Sequence, residues 1–306
     1  MDKLIEKITS DEVYHLINIQ TVLMDSIYKF MYEKNMHYIL PVILSPETDK
    51  LQDDVFDCSI VYYGQRLNLM KSMILQKQLM ILNKNINNIY TVSPCIRLEK
   101  REKYVQGRHS IEFQQLDMEF KNKDFEYVVD FVEELIVYLF SQVVEKCKDD
   151  LKFFNRTISI PTRPFKRYDN KKCLKDIGPN YEMELSKSNE SLFWVFNFDR
   201  WIYDKEIVLD DEIRNINYDI ILPEGFCELG SGGEREIEKD RVFKKMQALN
   251  IDVNEHENYL NFLHYEFESS AGIGLGIQRF LRYFTGQQNI DNVLPFSRSV
   301  EQQILL

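Results

Sequence analysis

The sequence lacks the features that mark secreted, metal-stapled or membrane-spanning proteins. Its five cysteines are scattered and odd in number, and no two of them form a Cys-x-x-Cys pair. A disulfide framework or a zinc site is therefore not supported, and this cysteine usage is typical of a reducing cytosol. The N-terminus has no apolar signal region, and the longest apolar run, 128–144, carries three carboxylates. We therefore expect a globular, cytoplasmic protein that has no membrane partner.

Positive charge is also in short supply. Acidic residues outnumber Lys and Arg by 49 to 38, which gives a formal net charge of −11. Most of the surface should repel a polyanion, so tRNA is not expected as a partner, although this balance leaves room for a local basic site. With 306 residues, 44% of them hydrophobic, the chain can bury a large core in one or two domains.

The most informative stretch is predicted to form two strands joined by a charged loop. Residues 89–98 are β-rich, 99–107 are polar, and 111–120 alternate between polar and apolar side chains. Five polar side chains recur at every second position on these strands: Arg97, Glu99, Gln115, Asp117 and Glu119. Side chains at a period of two share one face of a strand. Such a charged face is either solvated or converges on a ligand.

This stretch resembles motif 2 of the class II aminoacyl-tRNA synthetases, in which Arg-x-Glu, a loop, Arg-His and Phe precede Gln-x-Asp-x-Glu. The resemblance implies that Arg97 is a catalytic residue at the α-phosphate of ATP and that Phe113 stacks on adenine. It also implies that Gln115 and Asp117 bind the amino-acid substrate. By the same match, three more residues are expected in the ATP site: Glu99, Arg108 and His109.

A glycine-rich segment, 225–236, is predicted to form a strand, a turn and the start of a helix. By position it resembles the metal-binding part of the synthetases. The Glu228 carboxylate and the Ser231 hydroxyl are hard oxygen ligands suited to Mg²⁺ on the ATP phosphates, with Asp219 as a further ligand. Arg235 follows Glu228 by seven residues, the spacing of the synthetase arginine that reads a substrate carboxylate.

Residues 271–281 resemble motif 3, whose glycines let a strand and a helix pack closely around ATP. The resemblance implies that Arg279 is a second catalytic residue and meets the γ-phosphate. A Gly-x-Gly-x-Gly run alone would be ambiguous with a dinucleotide fingerprint, but the βαβ context is missing. Ser269 and Ser270 stand where relatives usually have a Pro-His pair, and this departure also argues against tRNA charging.

Substrate choice is predicted from residues 72–78, which resemble the Ser-Pro-Gln-Leu-x-Lys-Gln segment of aspartyl-tRNA synthetases. In those enzymes the lysine binds the side-chain carboxylate of aspartate, so Ser72 and Lys77 are expected at the substrate. Taken without context, Lys77 would be a surface lysine on an amphipathic helix. Asp49 is a candidate, with Gln115 and Asp117, for holding the substrate's ammonium group. Arg200 matches a further arginine of the archaeal asparaginyl-type enzymes.

The remaining patterns predict an α+β fold with an antiparallel β-sheet flanked by helices, a class II synthetase-like core, because strands and long helices do not alternate regularly. A helix over 10–34 and a strand over 37–44 resemble motif 1, which implies a homodimer through residues 10–46. Four further predictions are a strand at 55–63, a helix at 125–146, a connector at 157–174 and a strand at 192–198. We expect 1–306 to be a single catalytic domain, since the resemblance, from 20 to 298, leaves no room for an anticodon-binding barrel of about a hundred residues.

Within the family, the chain is most similar to archaeal-type asparagine synthetases related to asparaginyl-tRNA synthetase. The first hypothesis is an ATP-dependent aspartate–ammonia ligase that forms a C–N bond through an aspartyl-adenylate and releases AMP and pyrophosphate. The second is an adenylating ligase that transfers an aspartyl-like group to another amine. The third is a non-catalytic paralogue with a regulatory or RNA-binding role.

Overall fold

The computed structural model describes residues 2–49, 55–100, 107–199, 202–209, 212–265 and 267–298. Arg200 and most of the charged loop between the two motif 2 strands lie outside these ranges.

Ten α-helices occur in the described ranges: α1 (Asp2–Ile8), α2 (Asp11–Glu33), α3 (Ile74–Met80), α4 (Phe125–Lys146), α5 (Lys148–Phe153), α6 (Asn170–Asp176), α7 (Tyr181–Ser188), α8 (Lys239–Ala248), α9 (Glu257–Phe262) and α10 (Ile277–Thr285). The two long helices begin where the sequence predicts. Ser10 caps α2 by accepting a hydrogen bond from the Val13 backbone N–H at 3.3 Å, and Asp124 caps α4 by accepting from Tyr127 at 3.0 Å.

Fifteen strands occur in the same ranges: β1 (His37–Tyr38), β2 (Leu44–Ser45), β3 (Val55–Phe56), β4 (Ser59–Tyr62), β5 (Gln65–Leu69), β6 (Asn88–Ile96), β7 (Leu98–Glu99), β8 (Glu112–Lys121), β9 (Lys166–Asp169), β10 (Phe193–Phe196), β11 (Glu206–Leu209), β12 (Glu212–Asn215), β13 (Asn217–Leu222), β14 (Cys227–Glu234) and β15 (Ser270–Gly276). Eight of them form the main sheet in the order β1-β6-β8-β15-β14-β13-β10-β9. The sheet is antiparallel except for its outer pairs, β1 with β6 and β10 with β9, which are parallel. The α+β architecture expected from the sequence is present, but the sheet is mixed and not purely antiparallel.

The main core lies between this sheet and the two long helices, α2 and α4. Helix α4 buries Leu135, Ile136 and Leu139 completely, and α2 packs on it through Leu23 and Ile27. Burying each such side chain contributes about 1.5–3 kcal/mol, so this face anchors the sheet. Within the described ranges, no helix combines the length and the apolar character needed to cross a bilayer.

Three local predictions differ from the structure. The strand expected over 37–44 is only β1 and the first residue of β2, and the strand expected over 55–63 is divided into β3 and β4. The connector expected over 157–174 contains the edge strand β9 and most of α6. These segments lie at sheet edges, where a strand has a neighbour on one side only and long runs of backbone hydrogen bonds are less strongly imposed.

A fourth and larger correction concerns the glycine-rich segment. Most of it forms a continuous strand, β14, and the next helix begins only at Lys239. A Cβ on Gly230 or Gly232 would collide with a backbone carbonyl oxygen of the neighbouring strand β15. The glycines therefore allow two strands to approach closely and do not form a turn.

Candidate active site

The central pocket opens on the face of the sheet where β8, β14 and β15 run side by side, and α3 closes one side of it. Its volume is about 140 Å³. Eight of the site residues expected from the sequence line it: Asp49, Ser72, Lys77, Arg97, Gln115, Asp117, Ser231 and Arg235. This volume is below the roughly 300–1,000 Å³ typical of sites for drug-sized ligands, and it suits a molecule the size of an amino acid.

Two buried ion pairs form the floor of the pocket. Lys77 Nζ lies 2.8 Å from Asp117 Oδ1, and Arg235 donates to both oxygens of Glu119 at 2.9 and 2.8 Å. The pairs are linked, because Lys77 Nζ is also 3.9 Å from Glu119 Oε2. Lys77 is only 2% exposed, so its alternative reading as a surface lysine is wrong.

Serine hydroxyls complete the coordination of the two carboxylates. Ser93 donates to Asp117 Oδ2 at 2.7 Å, and Ser270 donates to Glu119 Oε1 at 2.9 Å. Each carboxylate is therefore held by a cation on one side and a hydroxyl on the other. Burial lowers the pKa of Arg235, but the charge and the hydrogen bonds of Glu119 outweigh burial and raise that pKa above its ordinary value.

Sequence reasoning gave no role to two residues at the pocket, Glu119 and Asp204, although the polar periodicity pointed to Glu119. Glu119 follows Gln115 and Asp117 at the period of two, and its carboxylate joins both cations. Asp204 also lines the pocket and accepts a hydrogen bond from Asn217 Nδ2 at 2.7 Å. Asp204 lies within the segment that resembles the archaeal asparaginyl-type enzymes through Arg200, but the resemblance gave Asp204 no role. Its backbone forms a bridge with that of Arg235, which brings it to the pocket.

The glycines of the motif 3 strand make room for these side chains. A Cβ on Gly272 would collide with the Glu119 carboxylate and with the carbonyl oxygen of Met118. A Cβ on Gly274 would collide with the side chain of Gln115. These two glycines therefore accommodate the polar groups of β8, which is a different reason for glycine from the close packing around ATP that the sequence suggested.

Arg97 leads from the central pocket to a second group of expected residues. Its guanidinium lies 5.1 Å from the centre of the Phe113 ring, a cation–π distance, and its Nε donates to the Lys71 carbonyl at 3.2 Å. Nearby, His109 Nδ1 is 3.4 Å from Glu99 Oε1. Four of the residues expected at ATP therefore form two contacting pairs, Arg97 with Phe113 and His109 with Glu99.

The other residues expected at ATP form a cluster of arginines. Arg279 lies 2.7 Å from Glu228, and Arg108 lies 2.8 Å from Glu182. Arg282, which has no signal in the motif, lies beside them. Burial and the like charges of Arg279 and Arg108 lower the pKa of Arg282 to about 10. A cluster with this excess of positive charge is suited to an anion.

The three residues expected to hold Mg²⁺ lie on neighbouring strands. Asp219 on β13 is paired with Ser231 on β14, and Glu228 lies beyond a bulge on the same strand. Two carboxylates and a hydroxyl are hard oxygen ligands that fit Mg²⁺. In the described ranges no group of three or more His, Cys, Asp and Glu side chains is arranged to hold a metal ion. Glu228 is paired with Arg279, so a cation at Glu228 would share or replace that partner.

Known proteins share the family pattern and the fold of this chain. The family model described as tRNA synthetases class II (D, K and N) matches residues 2–300. An asparagine–tRNA ligase of Malacoplasma penetrans is 25% identical over 321 residues, covering 93% of this chain and 70% of the relative. An aspartate–tRNA(Asp/Asn) ligase of Methanothermobacter thermautotrophicus is 25% identical over 252 residues, covering 78% and 57%. The crystal structure of Pyrococcus horikoshii asparaginyl-tRNA synthetase with asparaginyl-adenylate superposes with a TM-score of 0.86 at 21% identity, covering 97% of this chain and 71% of that one.

The relatives correct one expectation from the sequence and confirm another. They are tRNA ligases, so the expectation that tRNA is an unlikely partner is wrong. A net charge of −11 describes the whole surface and does not exclude a local site for tRNA. The expected enzyme class, an ATP-dependent ligase that releases AMP and pyrophosphate, is confirmed. The likeness to archaeal-type asparagine synthetases has no support among these relatives.

The match over residues 2–300, together with the fold, gives the family of the protein: the chain belongs to the class II tRNA synthetases of the D, K and N group, and its catalytic core is related to that of asparaginyl-tRNA synthetase.

Proposed function

We propose that this protein activates aspartate with ATP, forming aspartyl-adenylate and pyrophosphate, and transfers the aspartyl group to tRNA. The observation that carries the choice of aspartate is the pair of buried cations, Lys77 and Arg235, in a pocket of about 140 Å³. A carboxylate between two cations gains charge-assisted hydrogen bonds, whereas the side-chain amide of asparagine gains only neutral ones. One relative, the Methanothermobacter enzyme, is named as an aspartate ligase.

The pocket can orient the substrate through its charged groups. Lys77 and Arg235 would receive the side-chain carboxylate, while Asp49, Asp117 and Gln115 would hold the ammonium group. With the ammonium group fixed, the α-carboxylate would be directed toward Arg97. Holding the attacking oxygen in line with the α-phosphorus supplies much of the acceleration, and no side-chain nucleophile is needed.

The arginines would supply the electrostatic part of catalysis. Arg97 would stabilise charge that develops at the α-phosphate, and Arg279 would neutralise the γ-phosphate together with Arg108. Phe113 would stack on the adenine ring. Preorganised cations of this kind typically contribute about a hundredfold or more to the rate. Arg97→Ala should therefore reduce aspartate-dependent pyrophosphate exchange by about that factor.

The ATP would bind as its magnesium complex, with Glu228, Ser231 and Asp219 as the protein ligands. When bound, Mg²⁺ neutralises phosphate charge and acts as a Lewis acid. For Glu228 to take this role, its ion pair with Arg279 at 2.7 Å must loosen, which would free Arg279 for a phosphate.

Ammonia is the second candidate acceptor, which would make asparagine through a new C–N bond. The departure at Ser269 and Ser270 favours this alternative, because Ser270 holds Glu119 at 2.9 Å and so belongs to the substrate pocket of this chain. Making asparagine requires activation of the β-carboxylate. Aspartate would then lie reversed, with Lys77 and Arg235 holding its α-carboxylate.

The substrate is tested by ATP–pyrophosphate exchange with aspartate and with asparagine. We expect aspartate to be preferred, and we expect Lys77→Leu to reduce kcat/KM for aspartate by about ten- to a hundredfold through loss of a charge-assisted hydrogen bond. The ratio of the aspartate and asparagine rates is the readout, because partial unfolding of the variant affects both rates equally. The control is Lys121→Leu, which removes a different buried lysine, at the end of β8, and should leave the ratio unchanged. Faster exchange with asparagine in the unmodified protein would contradict the choice of aspartate.

The acceptor is tested separately by identifying the products. The protein is incubated with aspartate and Mg-ATP, and either tRNA or ammonium is added. Aspartyl-tRNA supports the main proposal, and free asparagine with AMP supports the second candidate. Production of ADP instead of AMP would contradict adenylation in both cases.

We also propose that 1–306 forms one catalytic domain and that it acts as a homodimer through residues 10–46. One hydrophobic cluster runs from Leu16 in α2 to Val293 near the end of the described chain, which supports the single domain. The apolar side chains of Leu40 and Ile43 are 80% and 53% exposed, and burial against a second copy would account for both.

A further inference from the structure

A second cavity lies on the far side of β13 from the central pocket and shares no lining residue with it. It has a volume of about 410 Å³ and is bounded by the β11–β12 hairpin, the start of α4 and the outer strands β9 and β10. We call it the hairpin cavity. Its volume lies in the range typical of small-molecule sites, about 300–1,000 Å³.

The walls of the hairpin cavity are mainly apolar. Phe125 and Phe196 meet edge to face, with ring centres 5.9 Å apart. Ile207, Leu209 and Ile216 also line the cavity. Leu209 remains 45% exposed, so the hairpin leaves this apolar lining accessible. A ligand with an apolar body would remove this area from water, which favours binding.

Most of the polar groups that line the cavity are already satisfied by neighbours. Arg167 makes a two-pronged ion pair with Glu126, both distances being 2.7 Å. Asp169 accepts from the Lys172 backbone at 3.0 Å and from Asn197 at 3.0 Å. These groups therefore shape the cavity without requiring a ligand.

Two polar groups on β12 differ from the rest. Within the described ranges, the buried Nε of Arg214 and the buried Oδ1 of Asn215 have no hydrogen-bond partner. Asn215 is 7% exposed, and Arg214 has no carboxylate within ion-pair distance in those ranges. Arg214 is paired with Ile207 in the hairpin and shares its face with Ile207 and Leu209, so its guanidinium can give a charge-assisted hydrogen bond to an acidic group in the cavity.

We propose that the hairpin cavity binds an organic anion that has an apolar body. Its acidic group pairs with Arg214, and its apolar part lies between the two phenylalanine rings and the hairpin. This site is separate from the aspartate and ATP sites of the proposed function. Its test is therefore independent of the outcome for those sites.

The probe is 8-anilinonaphthalene-1-sulfonate, which combines a sulfonate, an N–H donor and an apolar ring system, and whose fluorescence rises in apolar surroundings. Titration of the full chain should give one saturable site for each chain. Arg214→Gln should weaken binding by about tenfold or more, since it removes a charge-assisted hydrogen bond. Leu209→Trp should abolish binding by filling the cavity, and Arg66→Gln, in the exposed β4–β5 hairpin, is the matched control that should leave it unchanged.

Far-ultraviolet circular dichroism and the melting temperature show whether each variant is folded, which keeps this test independent of the activity proposed for the central pocket. Saturating Mg-ATP and aspartate should not displace the probe. Equal affinity in the unmodified protein and Arg214→Gln would overturn the proposal. Displacement of the probe by ATP, or full binding by folded Leu209→Trp, would also overturn it, because the probe would then occupy another surface.

Discussion

Replacing Glu119 by Gln is the sharpest perturbation of the pocket floor. The amide keeps the size of the side chain and an oxygen that accepts from Arg235 and Ser270, but it removes the negative charge. In the folded protein that charge faces Arg235 at 2.8 Å and Lys77 at 3.9 Å, and Glu119 itself is completely buried. The substitution therefore leaves a buried guanidinium without its counter-charge.

The size of the effect follows from this burial. Removing one partner of a buried ion pair typically costs about 3–5 kcal/mol, because the remaining charge has lost its solvation and gained no replacement. Lys77 retains Asp117 at 2.8 Å, so most of the loss is at Arg235. We expect the free energy of unfolding to fall by about 3–5 kcal/mol.

Urea unfolding followed by circular dichroism measures this change. The matched control is Glu134→Gln, which removes the carboxylate partner of Lys34 at a site where the Glu134 side chain is 42% exposed. That surface pair should contribute no more than about 1 kcal/mol. In a double-mutant cycle, Arg235→Met should recover part of the loss, since it removes the unpaired charge.

The reasoning is refuted if Glu119→Gln costs no more than the Glu134→Gln control. It is also refuted if the loss disappears at 1 M NaCl, because only exposed pairs are strongly screened.

Three further outcomes follow from the packing, the thiols and the exposed apolar surface. Gly232→Ala should lower the melting temperature, because its Cβ would collide with the backbone of β15 and overpacking costs about 1–3 kcal/mol; an unchanged temperature would contradict the close approach. Burial raises the pKa of Cys95 from 9.0 to about 12, so the unfolded chain ionises first and stability falls as the pH rises from 9 toward 12. Between pH 8 and 10, Cys95→Ala should reduce that fall in unfolding free energy by about 1 kcal/mol, and an equal fall in both proteins would contradict the assignment. Leu40→Glu should shift the proposed homodimer toward monomer in sedimentation equilibrium, whereas an unchanged mass would argue against residues 10–46 as the interface.

The elements that could be predicted are those whose signals are local. Helix α4 has the bounds predicted from its apolar periodicity, and α2 begins at the start of the predicted range, directly after Ser10. The motif 2 strands were also placed correctly, since polar and apolar residues alternate from Gln115 to Lys121 in β8. An element was predicted correctly where one short stretch of sequence contained both its periodicity and its end.

The features that were missed depend on contacts between distant residues. Arg235 is paired with Glu119, 116 residues earlier, and Lys77 with Asp117, 40 residues later. Glycine is depleted in strands, so the local rule predicted a turn at residues that form β14. The requirement for glycine there comes from the facing strand β15, whose position no local pattern of the sequence reveals.

The charges around the pocket limit the ways in which it can select aspartate over asparagine. Three cations and three carboxylates line it: Lys77, Arg97, Arg235, Asp49, Asp117 and Asp204. Glu119 adds a fourth carboxylate behind them, and a phosphate of ATP at Arg97 would make the surroundings more negative still. The net field therefore favours the substrate's ammonium group and opposes a second carboxylate. Selection of aspartate must then come from short, directed hydrogen bonds made by Lys77 and Arg235, which are 2% and 5% exposed.

Buried hydrogen bonds and a long-range field respond differently to salt, and this difference separates the two origins of selectivity. Screening acts on exposed charges beyond about 10 Å at 0.1 M salt and much less on buried neighbours. The ratio of kcat/KM for aspartate to that for asparagine should therefore change by less than about twofold between low salt and 0.3 M KCl, while Lys77→Leu should collapse it. Pyrophosphate exchange at a series of salt concentrations measures the ratio. A steep fall with salt in the unmodified protein would mean that aspartate is drawn in by the surface field, and that the buried pair does not select it.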